Sequence, residues 1–211
     1  MTRPFRAPDI RVSFLLSSFT GNGDTKTVRS GYRPTYMVHS DYWSSAHHEF
    51  IGTSEVNSGE RSDADVWLLS PEAYPASFWS GRTVLVTEGA CIVGTAEIVS
   101  VENPMLDVAA SKRRFNTHID VSPVNRGSSV PARLVCELDD NNRELRRLEF
   151  LHDGTVRSSD GAKQRYDPRA TARSAILRDV ENVHLRFVAR GISAEQFETL
   201  WQRYSGRESE R

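Results

Sequence analysis

Gly31-Tyr32-Arg33-Pro34-Thr35-Tyr36 and, roughly fifty residues later, Ser80-Gly81-Arg82-Thr83-Val84-Leu85-Val86-Thr87-Glu88-Gly89-Ala90-Cys91-Ile92-Val93-Gly94-Thr95-Ala96-Glu97-Ile98-Val99 decide how this 211-residue chain is read. In the second stretch, apolar residues on either side of Glu88-Gly89 form two strand-length runs joined by a short loop, the pattern of a β-hairpin. Gly94 interrupts the second run, and a glycine inside a strand marks a bulge or a close backbone approach. In the first stretch Pro34 removes a hydrogen-bond donor, so the residues after it belong to an edge strand or a strand start.

Working outward, Ile10, Val12, Phe14, Leu15 and Leu16 predict a strand buried on at least one face, ending at the turn cluster Thr20-Gly21-Asn22-Gly23-Asp24. Ala64-Asp65-Val66-Trp67-Leu68-Leu69 predicts another, after a turn at residues 56–60. Residues 39–49, polar and without period, read as a loop. Five or six short strands with turn signals at this spacing indicate a small barrel or sandwich, closing near Val101.

The two quoted stretches together resemble the last β-barrel domain of bacterial elongation factor Tu, in which a GYRP segment leads into a strand and a later hairpin closes the barrel. The resemblance covers residues 8–104, about half the chain, and implies a barrel that binds macromolecules and does no chemistry itself. In that family the barrel packs on the middle barrel and the GTPase domain and helps to hold the tRNA T-stem. The matching positions are Gly31, Tyr32, Arg33 and Pro34, with Arg82 to Gly94 as the hairpin; a cation at Arg33 either meets phosphate or carboxylate or, as the favoured reading, pairs locally while Tyr32 and Pro34 set the strand entry. Where the family carries basic residues in its closing hairpin, this chain has Thr87 and Cys91, and Gly21-Asn22-Gly23 replaces its Gly-Gly-Arg-like turn.

Residues 105–114, with the basic run Lys112-Arg113-Arg114, read as a linker. Beyond it, residues 116–121, Ala132 to Leu138, a strand through Phe150 and a short strand after His152-Asp153-Gly154 predict an antiparallel meander. The clearest helix is Ala194 to Tyr204. Ser193 and Gln196 form a capping box before it, Ile192 can staple against Phe197, and Gly206 fits a stop. Phe197, Leu200, Trp201 and Tyr204 then give one apolar face to pack on the meander. Residues 115–206 resemble a small uncharacterised bacterial domain family with a Glu-Leu-Asp strand, a Glu-rich hairpin ending in Asp-Gly and a closing helix, matched here by Pro131 to Asp139, Glu144 to Gly154 and Ile192 to Trp201. That resemblance implies no activity.

The expected organisation is therefore mainly β: a small antiparallel barrel over residues 1–104, a linker at 105–114, and a small α+β domain over 115–211 whose C-terminal helix packs on its meander. The net charge of −1 hides an asymmetry. Residues 1–110 carry 8 Lys and Arg against 13 Asp and Glu, net −5, and residues 111–211 carry 19 against 15, net +4. An anionic partner would meet the second half first, and an acidic barrel makes a poor tRNA clamp. The sequence shows neither an apolar run of membrane-spanning length nor a basic segment leading into an apolar leader core, so the expectation is a cytoplasmic protein without membrane contact. Cys91 and Cys136, each inside an apolar run, read as buried free thiols.

Lys26-Thr27 ends the turn after β-forming residues, but Thr25 stands where a phosphate loop needs glycine, so no nucleotide cofactor is expected. His39, Asp41, His47, His48 and Glu49 supply metal-ligand types within eleven residues. Their spacing matches no zinc pattern, and an enlarged solvated loop with no metal is the favoured reading. Neither cysteine has a nucleophile's setting, and His152-Asp153 is a hairpin turn before it is a dyad, so no catalytic residue is assigned. Arg143, Arg146 and Arg147 could line a basic face, although Glu137, Glu144 and Glu149 interleave with them. Tyr32, Arg33, Arg82, Arg143, Arg146 and Arg147 are the candidate binding residues. The function expected is non-catalytic binding of another protein, as an immunity or antitoxin-like protein would do. The alternatives are a translation-associated factor that binds tRNA or a translation protein through the barrel, and a metal-dependent enzyme using the His39 to Glu49 segment.

Overall fold

A computed structural model describes residues 4–17, 25–39, 42–109, 117–123, 131–139, 144–160 and 187–205. Its first strands are β1 (Ile10–Leu16), β2 (Thr27–Arg29), β3 (Thr35–His39), β4 (Tyr42–Phe50), β5 (Glu55–Asn57), β6 (Arg61–Leu68), β7 (Thr83–Glu88) and β8 (Cys91–Val101). Six of them form a closed antiparallel barrel in the order β1-β6-β4-β3-β7-β8, with β8 returning to β1, while β2 and β5 pair separately. Alternation in β1 sends Ile10, Val12, Phe14 and Leu16 inward and leaves Arg11 in solvent. Tyr36, Val66, Val84, Val86 and Ile98 meet them there. Each fully buried side chain of this size contributes about 1.5–3 kcal/mol, which makes the barrel interior the main source of its stability.

Gly94 has the close approach its position predicts. A Cβ built there would lie 2.2 Å from the carbonyl oxygen of Leu15 on the facing strand. The β7–β8 register also slips beside it, between Val86 and Thr87. Closure of the β1–β8 seam therefore requires a residue without a side chain.

The second half provides β9 (Thr117–Pro123), β10 (Arg133–Leu138), β11 (Glu144–Phe150), β12 (Val156–Asp160), β13 (Phe187–Gly191) and the helix α1 (Ala194–Tyr204). β9 to β12 form the expected antiparallel meander. β13 then returns to pair with β9 and touches β8 through Val188 opposite Cys91, so one sheet continues from the barrel into the second half. Ser193 caps α1 with the full capping box, its Oγ accepting from the Gln196 amide while its own amide donates to the Gln196 side chain. Phe197 is buried against Val135, Leu148 and Ile192, with Phe150, Val156, Leu200, Trp201 and Tyr204 around it. Gly206 lies outside the described residues.

A further apolar cluster joins the halves. Met37, Leu85 and Ile92, which point outward from the barrel wall, pack with Ile119, Val121, Leu134, Cys136, Leu138 and Ala189 on the back of the second sheet.

Three expectations need correction. Residues 42–50 are the strand β4 and not a loop, because their polar side chains are bonded within the fold: Ser44 Oγ donates to the Leu69 carbonyl and meets the Tyr74 hydroxyl, each at 2.8 Å. The segment read as a linker from residue 105 begins inside the barrel core, where Leu106 and Val108 are buried and Asp107 bridges to Phe78. Cys136 is buried as expected, whereas Cys91 opens β8 and is only half-buried.

Candidate functional site

In the barrel, the sequence-predicted residues are taken up by the fold. Tyr32 follows Gly31, whose φ of 89° suits a residue without a side chain, and its ring tilts against Phe14 and His48. Its hydroxyl donates to Glu88 at 2.9 Å, and Glu88 also pairs with Lys26, whose ammonium lies over the Tyr32 ring. Burial and the adjacent Glu88 carboxylate push the phenol well above its ordinary range, so Tyr32 carries no proton-transfer role near neutrality. Arg82 is buried. It donates to the carbonyls of Ser77 and Val38 and stacks over Trp79 at 4.9 Å, closing one end of the barrel. Its guanidinium is a structural plug, not a binding group facing solvent.

Arg33 is exposed, and its Nε donates to His47 Nδ1 at 3.3 Å. That contact makes Nδ1 the acceptor, so Nε2 carries the proton and donates to Glu49 at 2.7 Å. Trp67 lies edge-on to the same imidazole. His48, the next residue, points the opposite way into the barrel, where its Nε2 bonds the Tyr36 hydroxyl at 2.8 Å. Burial lowers its pKa to about 3, and its Nδ1 has no partner. His39 bonds Ser77, and Asp41 lies outside the described residues. Strand alternation thus scatters the metal-ligand types, and among the described residues no three such side chains gather.

The second half concentrates charge on the sheet face that carries α1. Register places His118 opposite Glu137 and Glu137 opposite Arg146, one row running across three strands. His118 Nε2 stands 3.4 Å from Glu137, whose other oxygen accepts from Arg146 Nε at 2.5 Å. Arg146 also grips Glu198 of α1 and lies 4.8 Å from Phe197 and 5.2 Å from Trp201. It staples helix to sheet, and its hydrogen bonds to Glu198 and Glu137 hold it charged. Arg147, on the reverse face, pairs with Glu144 and Glu149. Opposite it, burial raises the Cys136 thiol well above its usual value, which removes the thiolate a nucleophile requires. Arg143 lies outside the described residues. Of the predicted basic face, then, Arg146 and Arg147 serve packing and local pairing.

The arrangement that sequence reasoning missed lies at the end of this face nearest the barrel. Asp120 on β9 is only 4 % exposed at its side chain, and two guanidiniums converge on it. Arg133 donates Nε to Oδ1 and Nη2 to Oδ2, both at 2.9 Å, while Arg190 on β13 donates Nε at 2.9 Å and Nη2 at 2.5 Å to Oδ2. Burial acts to raise this carboxyl, and the hydrogen bonds from Arg133 and Arg190 overcome it, leaving the pKa below the ordinary value. One carboxylate against two guanidiniums leaves a net positive charge. Arg133 also rests over the Phe150 ring at 4.9 Å, and the Arg190 side chain is 70 % exposed. The available signal was the alternation around Asp120: Ile119 and Val121 take the apolar face, so His118 and Asp120 must share the other.

The sequence model of a domain family of unknown function, DUF6881, matches residues 117–206. Those residues begin with β9 and include Asp120, Arg133, Arg190 and α1. Comparison with curated proteins and with solved structures gave no match.

Proposed function

We propose that this chain is a non-catalytic binding module whose partner is another protein, and that the Arg133–Asp120–Arg190 corner is where recognition occurs. The observation that carries this reading is the geometry of that corner, in which a buried carboxylate fixes two arginines, Arg190 largely exposed and Arg133 partly so. Pre-orienting long side chains reduces the entropy lost on binding, and arginine is enriched at interface hot spots. The remaining titratable groups of catalytic type support the same reading. His48 and Cys136 are enclosed, His47 is held between Arg33 and Glu49, and Glu137 is engaged by Arg146.

The barrel serves in this proposal as a scaffold, with the likeness to the last domain of elongation factor Tu extending to architecture and not to tRNA binding. Its net acidic half and the buried state of Arg82 favour that distinction. An immunity or antitoxin-like role in a reducing cytoplasm is one form the activity takes; unpaired Cys91 and Cys136 suit that compartment. No helix among the described residues is long and apolar enough to cross a membrane.

Affinity capture from a nuclease-treated lysate of the native organism tests the proposal. Recovery of one protein in near-stoichiometric amount is expected. Recovery of no protein, or of RNA alone when nuclease is omitted, refutes it.

A further inference from the structure

From the corner's chemistry we infer the class of surface that the partner presents: an acidic segment whose carboxylates seat on Arg133 and Arg190. This deepens the protein-binding reading and rests on it. The donor inventory points to such a ligand. A guanidinium offers five N–H groups in a fixed fork, and Asp120 takes two from each arginine, one on Nε and one on Nη2. The Nη1 groups of Arg133 and Arg190 donate to no described residue. Among the described residues they, and the outer Nη2 N–H of each arginine, are open to an acceptor, and a carboxylate matches that end of the planar fork with two parallel bonds, one from Nη1 and one from Nη2.

Charge and exposure favour the same class. Among the described residues the corner keeps one uncompensated positive charge, and the half of the chain that contains it is net +4, while the barrel half is net −5. On β13, Val188 projects from the same side as Arg190 two residues on, and it is one of the large apolar side chains that remain exposed. An apolar residue beside the partner's carboxylates would cover it. The Asp120 anchor has a second effect. Because both arginines are tied by their Nε ends, they present their Nη1 ends in a fixed relation, which favours a pair of acceptors over diffuse attraction.

The test uses fluorescence anisotropy of a short labelled Glu-rich peptide carrying one Leu. A Lys-rich peptide of the same length and an oligouridylate are the comparison probes. The protein is assayed as wild type and as Arg190→Glu, Arg133→Gln and Arg157→Glu. Arg157 is exposed on β12 away from the corner, so its reversal changes net charge equally without touching the site. Circular dichroism confirms that each variant is folded.

Binding of the Glu-rich peptide that weakens with salt is expected. Arg190→Glu and Arg133→Gln should each weaken it about tenfold or more, as loss of a charge-assisted contact does, while Arg157→Glu stays within about twofold. The inference is overturned if the Glu-rich peptide does not bind, if Arg157→Glu weakens binding as much as Arg190→Glu, or if oligouridylate alone binds in an Arg190-dependent way. Lysate capture with the same variants separates the two claims. Equal recovery of a partner by wild type and Arg190→Glu retains protein binding and removes the corner. Peptide binding without any captured protein retains the corner and removes the proposed function.

Discussion

His48 gives the barrel a defined weakness to acid. Its side chain is enclosed among Phe14, Tyr32, Tyr36 and Phe50, its Nε2 has one hydrogen bond to the Tyr36 hydroxyl, and its Nδ1 has none. Burial brings its pKa from the ordinary 6.5 to about 3. Above pH 6.5 the imidazole is neutral in both folded and unfolded chains and stability does not depend on it. Below that value the unfolded chain binds a proton that the native chain refuses, so stability falls with pH until the folded value is reached. Each pH unit in that window costs about 1.4 kcal/mol, or about 2 kcal/mol by pH 5. The perturbation is the double substitution Tyr36→Phe/His48→Phe, which removes the titrating ring and its hydroxyl partner together and leaves no orphaned polar atom. Urea unfolding at about pH 7.5 and about pH 5 measures the effect in wild type and variant. Wild type should lose about 2 kcal/mol more between the two conditions than the variant loses. Equal losses would refute the assignment of His48 as the buried acid-sensitive group, whatever the variant's absolute stability.

Other substitutions test other parts of the fold. Gly94→Ala places a methyl group against the Leu15 carbonyl and should destabilise the barrel by about 3 kcal/mol or prevent folding, as followed by urea unfolding; a change under about 0.5 kcal/mol would contradict the close approach. Arg146→Leu takes the guanidinium away from the buried Glu137 carboxylate and should cost about 3 kcal/mol, and adding Glu137→Leu should restore a large part of it. If the double variant is no better than the single, the Arg146 staple is wrong. Asp120→Asn should flatten the acid limb of stability: a carboxylate with a lowered folded pKa contributes stability above its ordinary value of 3.8, and that contribution is lost as pH falls through the folded value. An unchanged acid limb would show that Arg133 and Arg190 do not hold it.

What the sequence made legible was local. The hairpin at Glu88-Gly89, the alternation of β1, the meander and the capping box of α1 are all written in neighbouring residues, and the structure contains each, with the hairpin turn one residue later at Gly89-Ala90 because Glu88 still pairs with Cys91. What escaped was set by partners distant in sequence. β4 looked like a loop because His48 and Ser44 are polar, and only Tyr36, Leu69 and Tyr74, brought beside them by the barrel, make their burial tolerable. β13 is short and finds its place by pairing β9 across some seventy residues, as Arg190 finds Asp120. The arginines deceived for the same reason. Arg82 and Arg146 have the composition of a basic surface, but their acceptors are carbonyls of the barrel end and a carboxylate on α1.

Photo-crosslinking from the corner itself tests the binding claim most directly. With benzoylphenylalanine in place of Val188, irradiation of the native lysate should produce a discrete protein adduct, and the crosslinked partner peptide should be rich in Asp and Glu. The adduct should disappear when Arg190→Glu is added. Adducts that persist in that variant, or crosslinks to nucleic acid in place of protein, would contradict recognition of an acidic protein partner by Arg133 and Arg190.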